Sequence, residues 1–271
     1  LRAEVGGDAA SWIHWGPTSQ DVVDTATMLQ ARDCLELLKG RLSRLLDTLE
    51  EQSQRHRELV MAGRTRTQIS TPITLGYRIA QWAHPLVDAE AAMPELLRTV
   101  LRLQFGGASG ISGAIAPDGS AVSGALAREL GLHDGPSWHL NRTPILALGA
   151  WLQQVSSGLA KMAGDLILLG RSDIGEVRCG TGGGSSTMPQ KSNPIQAEAI
   201  VTLERIAATA QSGLAAAAAP AEERDGARWP LEWMMLPQML IATGAALRHA
   251  QALAETLTPD TARLAARLAA H

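Results

Sequence analysis

The chain has 271 residues, 24 Lys and Arg against 27 Asp and Glu for a formal net charge of -3, and 45% hydrophobic content. That is globular composition, long enough to enclose a sizeable core. Its cations are scattered rather than gathered on one face, which argues against nucleic acid or an anionic membrane as partner; no apolar run reaches the ~20 residues of a membrane span, and no signal-peptide pattern opens the chain.

Cys34 and Cys179 are the two cysteines, and they stand without metal-ligand spacing. This fits a reducing, cytoplasmic setting and no metal centre. Cys34 reads as a small core side chain, whereas Cys179 is open to being either structural or a reactive thiol.

In chain order, the first block with chemistry is His14-Trp15-Gly16-Pro17-Thr18-Ser19-Gln20-Asp21. Thr18 or Ser19 suits a helix N-cap, with Asp21 near the positive end of the dipole. The unsatisfied amides and two hydroxyls there suit a substrate carboxylate, and His14 is near enough in sequence to donate to it or to shuttle a proton. Plain capping, and a structural histidine, are the alternatives. From Gln20 to about Ala62 no proline occurs, and Leu35, Leu38, Leu42, Leu45 and Leu49 recur at three- and four-residue steps. The spacing predicts one long helix with a packed seam, about 60 Å at 1.5 Å per residue.

Next comes Gly63-Arg64-Thr65-Arg66-Thr67-Gln68-Ile69-Ser70-Thr71-Pro72, whose guanidiniums and hydroxyls suit anion recognition, although Arg64 and Arg66 taken singly read as solvated surface charges. Further helices are expected over about Leu75–Gln104, with kinks at Pro85 and Pro94, and over Ser120–Leu130, Pro144–Gly170, Pro194–Ala219 and Leu231–Leu257. Ser137-Trp138-His139-Leu140-Asn141-Arg142 adds an imidazole and a cation, with a packed Trp-His pair as the plainer reading. No segment alternates with period two, so the fold class is all-α, an elongated bundle of long helices. Ala215 to Ala219 either lets helix backbones approach closely, as in a core shared between subunits, or forms a high-propensity surface helix.

The densest chemistry lies in Gly184-Ser185-Ser186-Thr187-Met188-Pro189-Gln190-Lys191-Ser192-Asn193-Pro194, after Gly182 and Gly183. Glycines free to adopt positive φ make this a loop, and two hydroxyls, an ammonium and a carboxamide make it an anion-binding, proton-moving one. The glycines supply hinge freedom for closure over a ligand.

This loop resembles the signature loop of the fumarase/aspartase superfamily, whose members add or eliminate across a carbon–carbon bond beside a carboxylate. The His14–Asp21 block, the Gly63–Gln68 block and Trp138-His139 resemble the same superfamily in the same order. Its adenylosuccinate and argininosuccinate lyases usually carry His where this chain has Arg66; the 3-carboxy-cis,cis-muconate cycloisomerases lack it too and also share the look of Glu232-Trp233 and Leu236-Pro237. The chain is most similar to that branch. The resemblance implies a cofactor-free, cytoplasmic homotetramer acting on a small di- or tricarboxylate, with each site shared between subunits, and 1–271 as mostly the central helical domain, lacking an N-terminal segment and a C-terminal helical region. It also implies Ser185 as proton carrier, assisted by Lys191 and His14, with Thr18, Ser19, Thr65, Arg66, Gln68, Ser186, Asn193, His139 and Arg142 on the substrate. Arg66 is expected to pair with Glu198. The alternatives are an adenylosuccinate-lyase-like elimination and a non-catalytic helical scaffold.

Overall fold

A computed structural model describes residues 1–180, 182–184, 188 and 191–270. After the single-turn helices α1 (Arg2–Val5) and α2 (Ala9–Trp12), α3 (Ser19–Arg55) runs 37 residues. Its leucine seam is buried as the spacing predicts: Leu35, Leu38, Leu42, Leu45 and Leu49 are each at most 2% exposed. Every such side chain removed from water contributes roughly 1.5–3 kcal/mol, which outweighs the modest propensity of the polar face.

The helix stops at Arg55, short of the expected Ala62. Val60–Thr65 (β1) and Gln68–Thr74 (β2) instead form an antiparallel hairpin, with Val60 opposite Thr74, Thr65 opposite Gln68 and a bulge between Ala62 and Arg64. Met61, Ala62 and Gly63 are buried in succession, so the alternation that marks a half-buried strand is missing from the sequence. Gly63 faces the Thr71 carbonyl oxygen so closely that no Cβ would fit.

The remaining helices are α4 (Leu75–Ala91), α5 (Met93–Val100), α6 (Gly119–Leu130), α7 (Thr143–Leu169), α8 (Ile195–Ala217), α9 (Trp229–Glu255) and α10 (Thr261–Ala269). The hydroxyl of Thr74 caps α4 by accepting from the Tyr77 amide at 3.1 Å. Pro85 is accommodated inside α4, whereas the expected Leu75–Gln104 element divides at Ala92 and ends at Val100. Two-residue strands β3 (Val177–Arg178) and β6 (Thr258–Pro259) pair with each other, as do β4 (Gly183–Gly184) and β5 (Ser192–Asn193). The fold is therefore predominantly helical, with minor two-stranded pieces.

Two compact units can be distinguished: residues 1–36, 94–149 and 212–236 form the first, and 37–93, 150–211 and 237–271 the second. In the first, Trp138 is 2% exposed and its indole donates to the Leu103 carbonyl at 3.0 Å. In the second, Trp82 and Trp151 are buried with their indoles donating to the Asp165 carboxylate at 2.7 Å and the Ala89 carbonyl at 2.9 Å. Buried indole N–H groups need such acceptors, and finding them fixes the orientation of each ring.

Candidate active site

The first turn of α3 is held by one carboxylate. Asp21, 2% exposed, accepts from the Thr18 amide at 2.8 Å, the returning half of a capping box. It also accepts from Gln104 Nε2 at 3.0 Å and from the Gly106 and Gly107 amides at 3.1 and 2.8 Å, and shares a 2.8 Å hydrogen bond with His139 Nε2. Gly107 has φ +71°, and a Cβ there would lie 2.8 Å from the Gly16 carbonyl oxygen, so this amide clamp requires glycine. Burial pushes the Asp21 pKa up, but the hydrogen bonds from His139, Gln104, Thr18 and Gly107 outweigh it and hold the carboxyl below its ordinary value.

One turn along, Asp24 anchors a second buried cluster. Arg142 NH1 and NH2 donate to Asp24 at 2.8 and 3.1 Å, while its Nε and NH2 donate to Glu232 at 2.9 and 2.5 Å. The guanidinium lies 4.7 Å from the Trp138 ring centre, and Trp229 Nε1 also donates to Asp24 at 3.0 Å. Burial alone would lower the Arg142 pKa; the bonds to Glu232 and Asp24 carry it above the usual arginine value. Burial raises Glu232, partly offset by Arg142.

Ahead of these clusters stand the two hydroxyls. Arg224 donates through NH1 to Thr18 Oγ1 at 2.5 Å and through NH2 to Ser19 Oγ at 3.2 Å. Each hydroxyl, accepting from the guanidinium, keeps its own proton free to donate. A helix N-terminus, two hydroxyl donors and a cation converge there, which is the chemistry of a carboxylate site.

Of the other positions expected at a site, His14 is exposed with φ 61°. His139 and Arg142 are 3% and 4% exposed and engaged with Asp21, Asp24 and Glu232. All these lie in the first unit, as do Thr18 and Ser19; Thr65, Arg66, Gln68, Lys191 and Asn193 lie in the second. Thr65 and Gln68 face each other beside the hairpin turn, whose Arg66 and Thr67 have φ of 50° and 69°.

Two expectations are corrected. Arg64 is not a solvated charge: it forms a bidentate pair with the fully buried Glu176, at 2.8 and 2.5 Å. Arg66, at the exposed turn, makes no ion pair with Glu198 among the described residues, so the guanidinium of this hairpin that finds a carboxylate is the inward-facing one.

Ser185 and Ser186 lie outside the described residues, and with them the expected closure of the loop. Its arms are described: Gly183–Gly184 pairs with Ser192–Asn193, and Lys191 is exposed. Burial pushes the nearby Cys179 thiol up to about 11, so it is protonated at neutral pH and a poor nucleophile. Asp24, Gln104, Glu176 and Arg224 carry much of this geometry and were missed from the sequence, where Asp21 was read only as a dipole partner. The available signal was Gln20, Asp21 and Asp24 clustered on the first turns of a helix whose apolar seam begins further along.

A family model described as lyase matches residues 3–208. The chain is 36% identical over 271 residues to 3-carboxy-cis,cis-muconate cycloisomerase of Bradyrhizobium diazoefficiens, covering 98% of this chain and 60% of that protein. It is 38% identical over 269 residues to the protein of that name in Pseudomonas aeruginosa, covering 97% and 59%. The crystal structure of 3-carboxy-cis,cis-muconate lactonizing enzyme from Pseudomonas putida superposes with a TM-score of 0.91 at 36% identity, over 96% of this chain and 58% of that one. The chain thus spans about 60% of the length of the curated relatives it matches. With the matched model extending over most of its residues, the chain belongs to the lyase family, within the fumarase/aspartase superfamily.

Proposed function

We propose that this chain carries the substrate-holding and catalytic residues of a cycloisomerase that closes 3-carboxy-cis,cis-muconate to 4-carboxymuconolactone, in the protocatechuate branch of aromatic-acid breakdown in the cytoplasm. One observation supports the reading: the hydroxyls of Thr18 and Ser19, at the α3 N-terminus, accept from Arg224, donors and a cation suited to a carboxylate, in a chain 36–38% identical to proteins of that name. The substrate has three carboxylates. One adds across the conjugated double bond while a proton reaches the carbon alpha to another, so charge builds on that second carboxyl in an enediolate-like intermediate.

In this proposal Thr18, Ser19 and Arg224 hold one carboxylate that does not react. Lys191 and Asn193 meet the carboxylate that gains charge, where fixed donors favour the transition state over the ground state. Ser185 carries the proton, which requires its alkoxide to be stabilised by loop amides and Lys191, and His14 assists as acid. Thr65, Arg66, Gln68 and Ser186 bind the remaining oxygens. His139 and Arg142 act from behind the site, keeping Asp21 and Asp24 and hence the first turn of α3 in place.

The active form is proposed to be a homotetramer with sites assembled from several copies. Ile241, Ile195 and Trp233 are 73%, 54% and 46% exposed on α8 and α9, apolar surface that further copies would cover. The test is an ultraviolet assay following loss of the conjugated diene of 3-carboxy-cis,cis-muconate, with Ser185→Ala and Arg224→Ala beside the parent. Diene loss that disappears in Ser185→Ala, and shows a KM raised tenfold or more in Arg224→Ala, is the expected result. No loss in the parent would overturn the assignment and leave an elimination of the adenylosuccinate type as the next substrate class to assay.

A further inference from the structure

The second unit contains a cavity of about 410 Å³, large enough for a small organic molecule. We propose that it is a binding site for a small carboxylate with an apolar body, in which Arg78 takes the carboxylate.

The argument begins with the cations. Arg64, Arg78, Lys161 and Arg171 all line the cavity. Three of them are already matched: Arg64 by Glu176 at 2.8 and 2.5 Å, Lys161 by Asp165 at 2.6 Å and Arg171 by Asp173 at 2.8 Å. Arg78 forms no hydrogen bond or ion pair among the described residues. It is half-buried, and burial lowers its pKa more than the nearby Asp165 restores it. Asp165 is itself engaged, its Oδ2 accepting from both Trp82 Nε1 and Lys161. A guanidinium partly removed from water and lacking an acceptor is an unfilled anion site, because a bidentate carboxylate would return the bonds that burial took away.

The rest of the wall decides which anion. Ile73, Tyr77, Leu168, Leu169 and Ile174 supply an apolar surface beside Arg78. Inorganic phosphate would satisfy the charge but leave that surface against water, whereas a carboxylate on an aromatic or branched aliphatic body satisfies both. The hairpin turn borders the cavity through Thr67, whereas Thr65 does not line it. Successive strand residues point to opposite faces, so Arg64, turned toward Glu176 and the cavity, and Thr65, exposed beside the turn, lie on opposite sides of β1. Because Thr67 shares its turn with Arg66 and Gln68, the cavity adjoins the proposed substrate groups, and the variants below tell the two sites apart.

The probe is benzoate, the simplest carboxylate on an apolar ring, titrated calorimetrically into the 271-residue chain beside inorganic phosphate and uncharged benzyl alcohol. One benzoate per chain is expected, with phosphate and benzyl alcohol each at least tenfold weaker. Arg78→Met should weaken benzoate at least tenfold with no loss of melting temperature, since it removes an unmatched cation. Leu168→Glu, which sets a competing carboxylate at the half-exposed wall, should do the same and provides the result if Arg78→Met does not fold. Equal benzoate affinity in the parent and in the folded variants would overturn the proposal. So would phosphate binding as tightly as benzoate, or benzoate binding lost in Thr18→Ala/Ser19→Ala but kept in Arg78→Met, which would assign the ligand to the catalytic site.

Discussion

Replacing Arg142 with Met removes the centre of the Asp24–Arg142–Glu232 cluster while retaining a long, apolar side chain. The three residues are 2%, 4% and 4% exposed, and the substitution deletes four charge-assisted hydrogen bonds of 2.5–3.1 Å. At an effective dielectric of ~20, a unit-charge pair ~4 Å apart is worth ~4 kcal/mol, so two such contacts lose ~8 kcal/mol before the relief of no longer burying the guanidinium, itself several kcal/mol, is subtracted. A net loss of about 3–5 kcal/mol is expected, consistent with an uncompensated buried carboxylate pair. The assay is urea unfolding followed by circular dichroism at fixed protein concentration and pH 7.5. The cost should also depend on pH. Glu232 is already raised by burial, and without Arg142 it rises further. A carboxyl whose folded pKa exceeds its unfolded value binds more protons when folded, so it favours the folded state below its unfolded pKa and costs stability as pH rises through the folded one. The deficit should therefore shrink between pH 7.5 and pH 5. A loss under about 1 kcal/mol, or a pH-independent deficit, would refute the reasoning.

Asp21→Asn should cost ~1–3 kcal/mol at pH 7, because several donors lose a charged acceptor. Asp21 has a depressed folded pKa, so its stabilisation is present above its unfolded value, ~3.9, and lost as pH falls through the folded one; the variant should show a flatter acid limb, and identical pH–stability curves would contradict this. Gly76→Ala brings a Cβ against the Ser53 carbonyl oxygen and within 2.7 Å of the Arg57 Cα, an overpacking cost of about 1–3 kcal/mol readable as a lower urea midpoint. With its pKa pushed up to about 11, Cys179 in a Cys34→Ser background should react with iodoacetamide at pH 7.5 at least tenfold more slowly than free cysteine; a matching rate would count against the burial argument.

The leucine seam of α3, the helical class, and the family that the four chemistry-bearing blocks resemble were legible in the sequence because each rests on local pattern. A three-four spacing is a consequence of 3.6 residues per turn, and glycines beside Ser, Lys and Asn constrain a loop wherever it sits. The hairpin at 60–74 was not legible, since burial of three consecutive residues erased its period of two, and the end of α3 was misplaced for the same reason. Nor could the sequence choose between Arg64 and Arg66. Both stand in one polar run, and only the folded chain brings Glu176, 112 positions away, to Arg64. Arg142 reaches Asp24 across 118 positions, and Arg224 reaches Thr18 across 206. A charge's partner depends on distance in space and on the water excluded around it, and neither quantity is encoded in local spacing; that is why the pairing of His139 with Asp21 and of Arg142 with Asp24 and Glu232 was not foreseen, and why the guanidinium over Thr18 and Ser19 came from a segment with no pattern of its own.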